Sequence, residues 1–157
     1  MAPEARRTVL AIDAGSPVAS VALAKGERIL AESRSEDATS SRHLLEQVDA
    51  VLREAGCALP DLGGVVALRG PGSFTGLRVG MATVLGLHQA TGVPATALPT
   101  LTVLASLAPA APVLAAVDAL RGLWFHQRFD RRPGAPPSPL GEPAQGRARS
   151  AAASSSA

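Results

Sequence analysis

The 157-residue chain has one cysteine, Cys57, one lysine, Lys25, no tyrosine, and an aromatic content of 3%. A single thiol excludes an internal disulfide and any multi-cysteine metal site, so nothing points to an oxidising compartment. Fourteen of the fifteen basic residues are arginine, thinly spread, with no basic stripe interleaved with aromatics. Residues 131–157 hold four arginines and one glutamate, which leaves −1 on the rest of a chain whose formal charge is +2. The basic balance therefore belongs to the C-terminal part and argues little for nucleic-acid binding by the folded body. Acids are missing altogether from Leu62 to Val117. Hard cations beside phosphates need carboxylate oxygens, so this span weighs against magnesium-phosphate chemistry there. The opening MAPEARRTVLAIDAG breaks its short apolar run at Asp13 and is not a secretory signal. The stretch from Val79 to Val117, free of acids, lysine and arginine, is cut by Pro94, Pro99, Pro109 and Pro112, which are costly inside one spanning helix. Hydrophobic residues at 46% with 18% charged predict a globular body with a real core, and the lone cysteine and the proline-cut apolar stretch make a cytoplasmic protein with no membrane association the expectation.

What is present changes period along the chain. Val9–Asp13 and Val18–Leu23 are β-branched and apolar runs joined by Ala14-Gly15-Ser16-Pro17, and Arg28–Ser33 follows the Lys25-Gly26-Glu27 turn. Three antiparallel strands are expected. From Ser40 or Ser41 to Ala55, Leu44, Leu45, Val48, Val51 and Leu52 form a helical stripe that stops at Gly56, and His43 and Gln47, four apart, are placed on the polar side. Val65–Leu68 reads as a buried strand. It leads into Gly70-Pro71-Gly72-Ser73-Phe74-Thr75-Gly76-Leu77-Arg78-Val79-Gly80, the densest cluster of turn residues in the chain. A helix capped by Thr75 then runs to about Ala90 and closes at Gly92. Its residues are apolar or small nearly all round, which requires cover on more than one face. Strands at Val93–Leu98, Val113–Val117 and Leu123–Phe129, and a short helix from Thr100 to Leu107 capped by Thr100, complete the body. Residues 131–157, rich in Pro, Gly, Ala and Ser, are expected to be a disordered low-complexity tail.

The glycine turn invites a nucleotide-binding reading, because backbone amides at a helix start hold anions. A Walker A loop needs Lys then Ser or Thr after its second glycine, and Gly76 is followed by Leu77-Arg78. Gly70, Gly72 and Gly76 give GxGxxxG, not the dinucleotide GxGxxG, and no acid follows at the ribose position. Asp13 and Asp118, each ending a predicted strand, are the pair an actin-fold phosphotransferase would use; as turn formers both are equally ordinary. His43, His88 and His126 fall on three different elements with no metal-binding spacing. Ser73 sits one position early for a nucleophile elbow.

AIDAGSPVASVAL, SSRHLLEQVDAVLREAG, the run from Gly64 through GPGSFTGLRVG to Ala105, and VDALRG together closely resemble the TsaB (YeaZ) family over about residues 8–129. The resemblance implies an α/β, actin-like and RNase H-like (ASKHA) fold with a mixed sheet and flanking helices. It also implies a non-catalytic scaffold that binds and activates the paralogous TsaD subunit, which makes threonylcarbamoyladenosine beside the tRNA anticodon. The metal-binding histidine pair of that paralog would fall within Val93–Thr102, where this chain has no His. ATP and metal are accordingly expected on the partner and none on this chain. The other partners implied are a TsaE-type ATPase, a second copy in a homodimer, and tRNA only within the complex. Carried over by position, His43, Gln47, Leu77, Arg78, Met81 and Leu85 are the interface candidates. The turn residues Gly70, Gly72, Ser73, Thr75 and Gly76 set how the helix leaves the sheet, and Asp13 and Asp118 are vestigial phosphate-side residues. Family members continue past Arg121-Gly122, so the expected organisation is a first lobe over 1–108, the start of a truncated second lobe over 109–130, and the tail. The competing readings are an actin-fold ATP-binding phosphotransferase, a peptidase-like enzyme, and a truncated, non-functional product.

Overall fold

The computed structural model describes residues 7–35, 43–109 and 112–147. These divide into two compact units. One runs to Arg69 and includes Ser73–Leu98; the other comprises Gly70–Gly72 and the chain from Pro99 onward.

The first unit is a five-stranded mixed sheet in the order β3-β2-β1-β4-β5, made of β1 (Thr8–Asp13), β2 (Ser20–Lys25), β3 (Arg28–Arg34), β4 (Gly64–Leu68) and β5 (Ala95–Leu98). The expected antiparallel trio is present, with Thr8 opposite Lys25 and Asp13 opposite Ser20. β4 joins β1 in parallel and β5 joins β4 in parallel. Parallel neighbours need a crossover, and the helices supply it. Alternation in β1 sends Leu10 and Ile12 to one face, where they meet Val21, Leu23, Val65 and Ala67.

Helices α1 (Leu44–Glu54) and α2 (Phe74–Thr91) cover that same face. Leu44, Val48, Val51 and Leu52 of α1 and Val84 of α2 belong to the one buried cluster with the strand residues. The expected start of α1 at Ser40 or Ser41 lies outside the described residues. Its end is as read: Gly56, at φ +61°, donates its N–H to the Arg53 carbonyl. Of the pair placed on its polar side, Gln47 is misassigned. It is 8% exposed, one position before Val48 on the inward stripe, because a helical face more than 100° wide takes in the residue next to the apolar row.

α2 also starts differently from the expectation. The cap is Ser73, whose Oγ accepts the Gly76 N–H at 3.3 Å, and Thr75 is inside the helix. Both hydroxyls satisfy the capping preference; the extended ψ of Ser73 decides between them. Gly92, at φ 74°, ends α2 with its N–H on the His88 carbonyl.

In the second unit, α3 (Thr100–Ser106) packs on a sheet of β6 (Val113–Asp118), β7 (Leu123–Asp130), β8 (Ser138–Pro139) and β9 (Ala144–Arg147). Pro99, not Thr100, occupies the cap position of α3. Leu101 and Ala105 of α3 close a small core with Ala115 and Phe129, so this helix belongs with the second unit and the expected boundary at residue 108 moves to Pro99. The expected tail is corrected as well. β8 pairs with Phe129 and Asp130 and β9 with Leu123–His126, on the edge of β7 away from β6. Backbone hydrogen bonds order this segment where apolar burial could not. Residues 148–157 of the expected tail lie outside the described residues. Among the described helices none is long and apolar enough to cross a membrane.

Candidate functional site: the outer side of the glycine-turn helix

Chain geometry around the glycine turn follows from a close approach of two backbones. A Cβ on Gly76 would stand 1.7 Å from the Ala14 carbonyl oxygen, and one on Gly15 would stand 2.6 Å from Leu77 Cδ2. The Ser73 N–H donates to the Gly15 carbonyl at 2.8 Å. The start of α2 is thus pinned to the Asp13–Ser16 loop, and Gly76 and Gly80 let the helix lie directly on it.

The same loop occupies the Asp13 carboxylate. Oδ1 accepts the Gly15 N–H at 2.9 Å and the Ser16 N–H at 3.1 Å, while Oδ2 accepts the Ser16 hydroxyl at 2.5 Å. Three donors from its own turn make this side chain a loop brace. Asp118 does similar work: Oδ1 accepts the Leu120 N–H at 2.8 Å, at a hairpin tip where Leu120 (φ 66°) and Arg121 (φ 55°) are both left-handed. Each aspartate is accounted for within its own turn.

Packing one side of α2 onto the sheet leaves the other side open. Gly76, Gly80 and Val84 face inward, with Val79 and Leu87 partly covered. Phe74, Arg78, Met81 and Leu85 recur at helical spacing on the outside; Phe74 is 68%, Met81 39% and Leu85 54% exposed. The Arg78 guanidinium lies 4.1 Å from the centre of the Phe74 ring, a cation–π contact that steadies both side chains. Beside Met81 and Leu85 a groove of about 190 Å³ opens against β4 and β5, lined by Ala67, Val84, Ala95 and Ala97.

The six interface candidates therefore separate. Arg78, Met81 and Leu85 share the open stripe. Leu77 is half-buried and turned toward Gly15, and Gln47 is buried. His43 is exposed at the start of α1, its Nδ1 3.0 Å from Glu46 Oε2. Two outward apolar residues on these helices lie outside the candidate set, Phe74 and Leu45, the latter 64% exposed on α1. Steps of four, three and four positions back from Leu85 lead to Phe74; Leu45 reads as part of the inward stripe in sequence because it adjoins Leu44.

No group of three His, Cys, Asp or Glu side chains converges on a metal-sized site among the described residues. Burial, and secondarily the Asp61 carboxylate, push the Cys57 thiol up from its ordinary range, which disfavours the thiolate at neutral pH.

Residues 30–132 match the TsaD family, tRNA N6-adenosine threonylcarbamoyltransferase. The tRNA threonylcarbamoyladenosine biosynthesis protein TsaB of Escherichia coli K12 is 32% identical over 127 residues, which cover 78% of this chain and 55% of that protein. A Pseudomonas aeruginosa crystal structure, of an uncharacterized protein with similarity to peptidase YEAZ, aligns with a TM-score of 0.81 at 32% identity over 90% of this chain and 67% of that one. The chain belongs to the TsaB (YeaZ) family. It spans about half the length of the curated TsaB relatives it matches. Outside the TsaB family, the (R)-2-hydroxyglutaryl-CoA dehydratase component A of Acidaminococcus fermentans aligns with a TM-score of 0.53 at 16% identity and 90% coverage of this chain, 48% of that one. That likeness concerns fold alone and agrees with an actin-like (ASKHA) lobe.

Proposed function

We propose that this chain is a non-catalytic subunit in tRNA threonylcarbamoyladenosine biosynthesis, and that it docks through the outer side of α2 on a TsaD-type catalytic subunit. The observation that carries this is the stripe of Phe74, Arg78, Met81 and Leu85, apolar but for one cation, on a helix whose opposite side already has its core. An exposed Met, Leu and Phe in one row beside a groove is what a protein interface offers, since their burial supplies the association energy at roughly 25 cal/mol per Å². In this reading ATP and any catalytic metal belong to the partner. A TsaE-type ATPase is a further partner in this reading, tRNA is engaged only within the complex, and a second copy of the chain is the alternative occupant of the stripe. The names of the TsaB relatives and the family match support the pathway. The three hydrogen bonds that Asp13 accepts within its own loop support a subunit rather than a phosphotransferase.

Co-purification with the TsaD-type subunit tests the proposal. Met81→Asp or Leu85→Asp is expected to weaken complex formation at least 10-fold while leaving the melting temperature of the isolated chain nearly unchanged, because both side chains are open in the free protein. A folded wild-type chain that forms no complex at micromolar concentration would overturn it. So would parallel loss of folding and binding in both variants. Magnesium-dependent ATP binding that vanishes in Asp13→Asn would instead favour the phosphotransferase.

A further inference from the structure

The outer side of α2 carries one charge and one hollow, and together they restrict what can cover it. Arg78 is the only Asp, Glu, Lys or Arg of the helix, exposed between Phe74 on the turn before and Met81 and Leu85 on the turns after. Its guanidinium lies 4.1 Å from the centre of the Phe74 ring, which fixes where the charge stands but does not neutralise it. No carboxylate comes within ion-pair distance of Arg78 among the described residues. The sequence around it offers none either, being free of acids from Leu62 to Val117. The loop beneath α2 supplies Asp13, whose carboxylate is held by Gly15 and Ser16 of its own turn.

The hollow is the groove of about 190 Å³ walled by Met81 and Leu85 of α2 and by Ala95, Thr96 and Ala97 of β5. An apolar cavity of about 150 Å³ takes up a benzene ring, so this one has room for a single aromatic or branched aliphatic side chain. Arg78 and Leu85 are seven residues apart, about 10 Å along the helix axis.

These features select among occupants. Burying a guanidinium without a counter-charge is costly, and a purely apolar cover would strand this one. A second copy laid stripe on stripe would add another Arg78 and no carboxylate from its α2. A partner surface that carries an acid and a bulky apolar residue about 10 Å apart meets both requirements at once. We propose that, granted the docking reading above, the subunit seated on α2 brings a carboxylate to Arg78 and one ring-sized apolar side chain into the groove beside Met81 and Leu85.

Lys25 is the one lysine of the chain, so Arg78→Lys places a single new amine on the stripe. A water-soluble carbodiimide joins an amine to a carboxylate in contact with it; an amide forms and the reagent takes up the water. In the complex of Arg78→Lys with a TsaD-type subunit, coupling of position 78 to an Asp or Glu of that subunit is expected. Peptide mass mapping reads this cross-link, and the wild-type complex lacks it. Arg78→Gln is expected to weaken the complex roughly 30-fold or more, the loss of one half of a buried charge pair, and to flatten its salt dependence. Ala97→Leu fills the groove from the sheet side while adding apolar surface. It is expected to weaken binding roughly 10-fold, because one partner side chain is no longer buried. Arg78→Gln that binds with wild-type affinity and salt dependence overturns the proposal. If Met81→Asp still weakens that complex, the docking reading survives the failure. Ala97→Leu of native melting temperature that binds as well as wild type overturns the proposal too. A wild-type chain that forms no complex, or only a dimer with itself that Leu85→Asp dissolves, overturns the docking reading and this inference together.

Discussion

Gly76 and Gly86 lie ten positions apart on one helix and carry opposite constraints. A methyl group at Gly76 would meet the Ala14 carbonyl oxygen at 1.7 Å, and that oxygen belongs to backbone tied down by the Asp13 carboxylate and the Ser73 N–H. Neither side can yield without parting α2 from β1. A methyl group at Gly86 would meet nothing within 4 Å. Gly76→Ala is therefore expected to destabilise the fold by about 3 kcal/mol or more, the upper range for overpacking. Gly86→Ala should stabilise it by about 0.5–1 kcal/mol through helix propensity alone. Chemical denaturation of the two variants checks the pair. A Gly76→Ala protein as stable as wild type would mean that α2 does not sit on the Asp13 loop as described. The contrast is invisible in sequence, where both residues are glycines in an apolar helix; only the position of β1 distinguishes them.

Along the helices, the pattern of apolar spacing was enough to place α1 and α2 and to end both at glycines, and periodicity located every strand of the first sheet. It did not settle which way the helices' borderline residues turn. Gln47 precedes Val48, and a polar side chain beside an apolar row reads as outward until the sheet beneath is known. In the structure its Oε1 is buried without a hydrogen-bond partner. An unpaired buried carbonyl oxygen carries its full desolvation penalty, about 1–3 kcal/mol, which a methionine of similar length does not incur. Gln47→Met is thus expected to raise stability by about 1 kcal/mol, read as an upward shift in melting temperature, with binding to a TsaD-type subunit unchanged. Lower affinity in a more stable protein would place Gln47 at the interface after all. For α2 the sequence signal was stronger than it looked. An all-round apolar helix demands two covers, and the structure provides one on the Gly76–Gly80–Val84 side while leaving Met81 and Leu85 open.

At the scale of the whole chain, composition misled where backbone pairing decides. Residues 131–147 have almost no apolar bulk, and burial arithmetic alone leaves them unstructured. β7, however, has two edges, and β6 satisfies one of them. β8 and β9 take the other, the Leu140 N–H donates to the Arg128 carbonyl at 2.8 Å, and Gln127 Nε2 donates to the Gly141 carbonyl at 2.8 Å. Such pairing leaves no trace in hydropathy, because every non-proline residue offers the same backbone N–H and C=O whatever its side chain. It also assigns the segment a protective role: an uncovered β7 would present eight residues of strand edge with Trp124 and Phe125 among them, a template for pairing with another chain. Deleting residues 136–157 removes β8 and β9 together. The shortened protein is expected to scatter light at micromolar concentration on mild heating, well below the temperature at which the full chain does so, while the monomer fraction still captures a TsaD-type subunit through the untouched α2 stripe. A shortened chain that stays monomeric and melts like the full one would show that the β7 edge is protected by something other than β8 and β9. Loss of capture in the monomer fraction would show instead that docking extends to the second sheet.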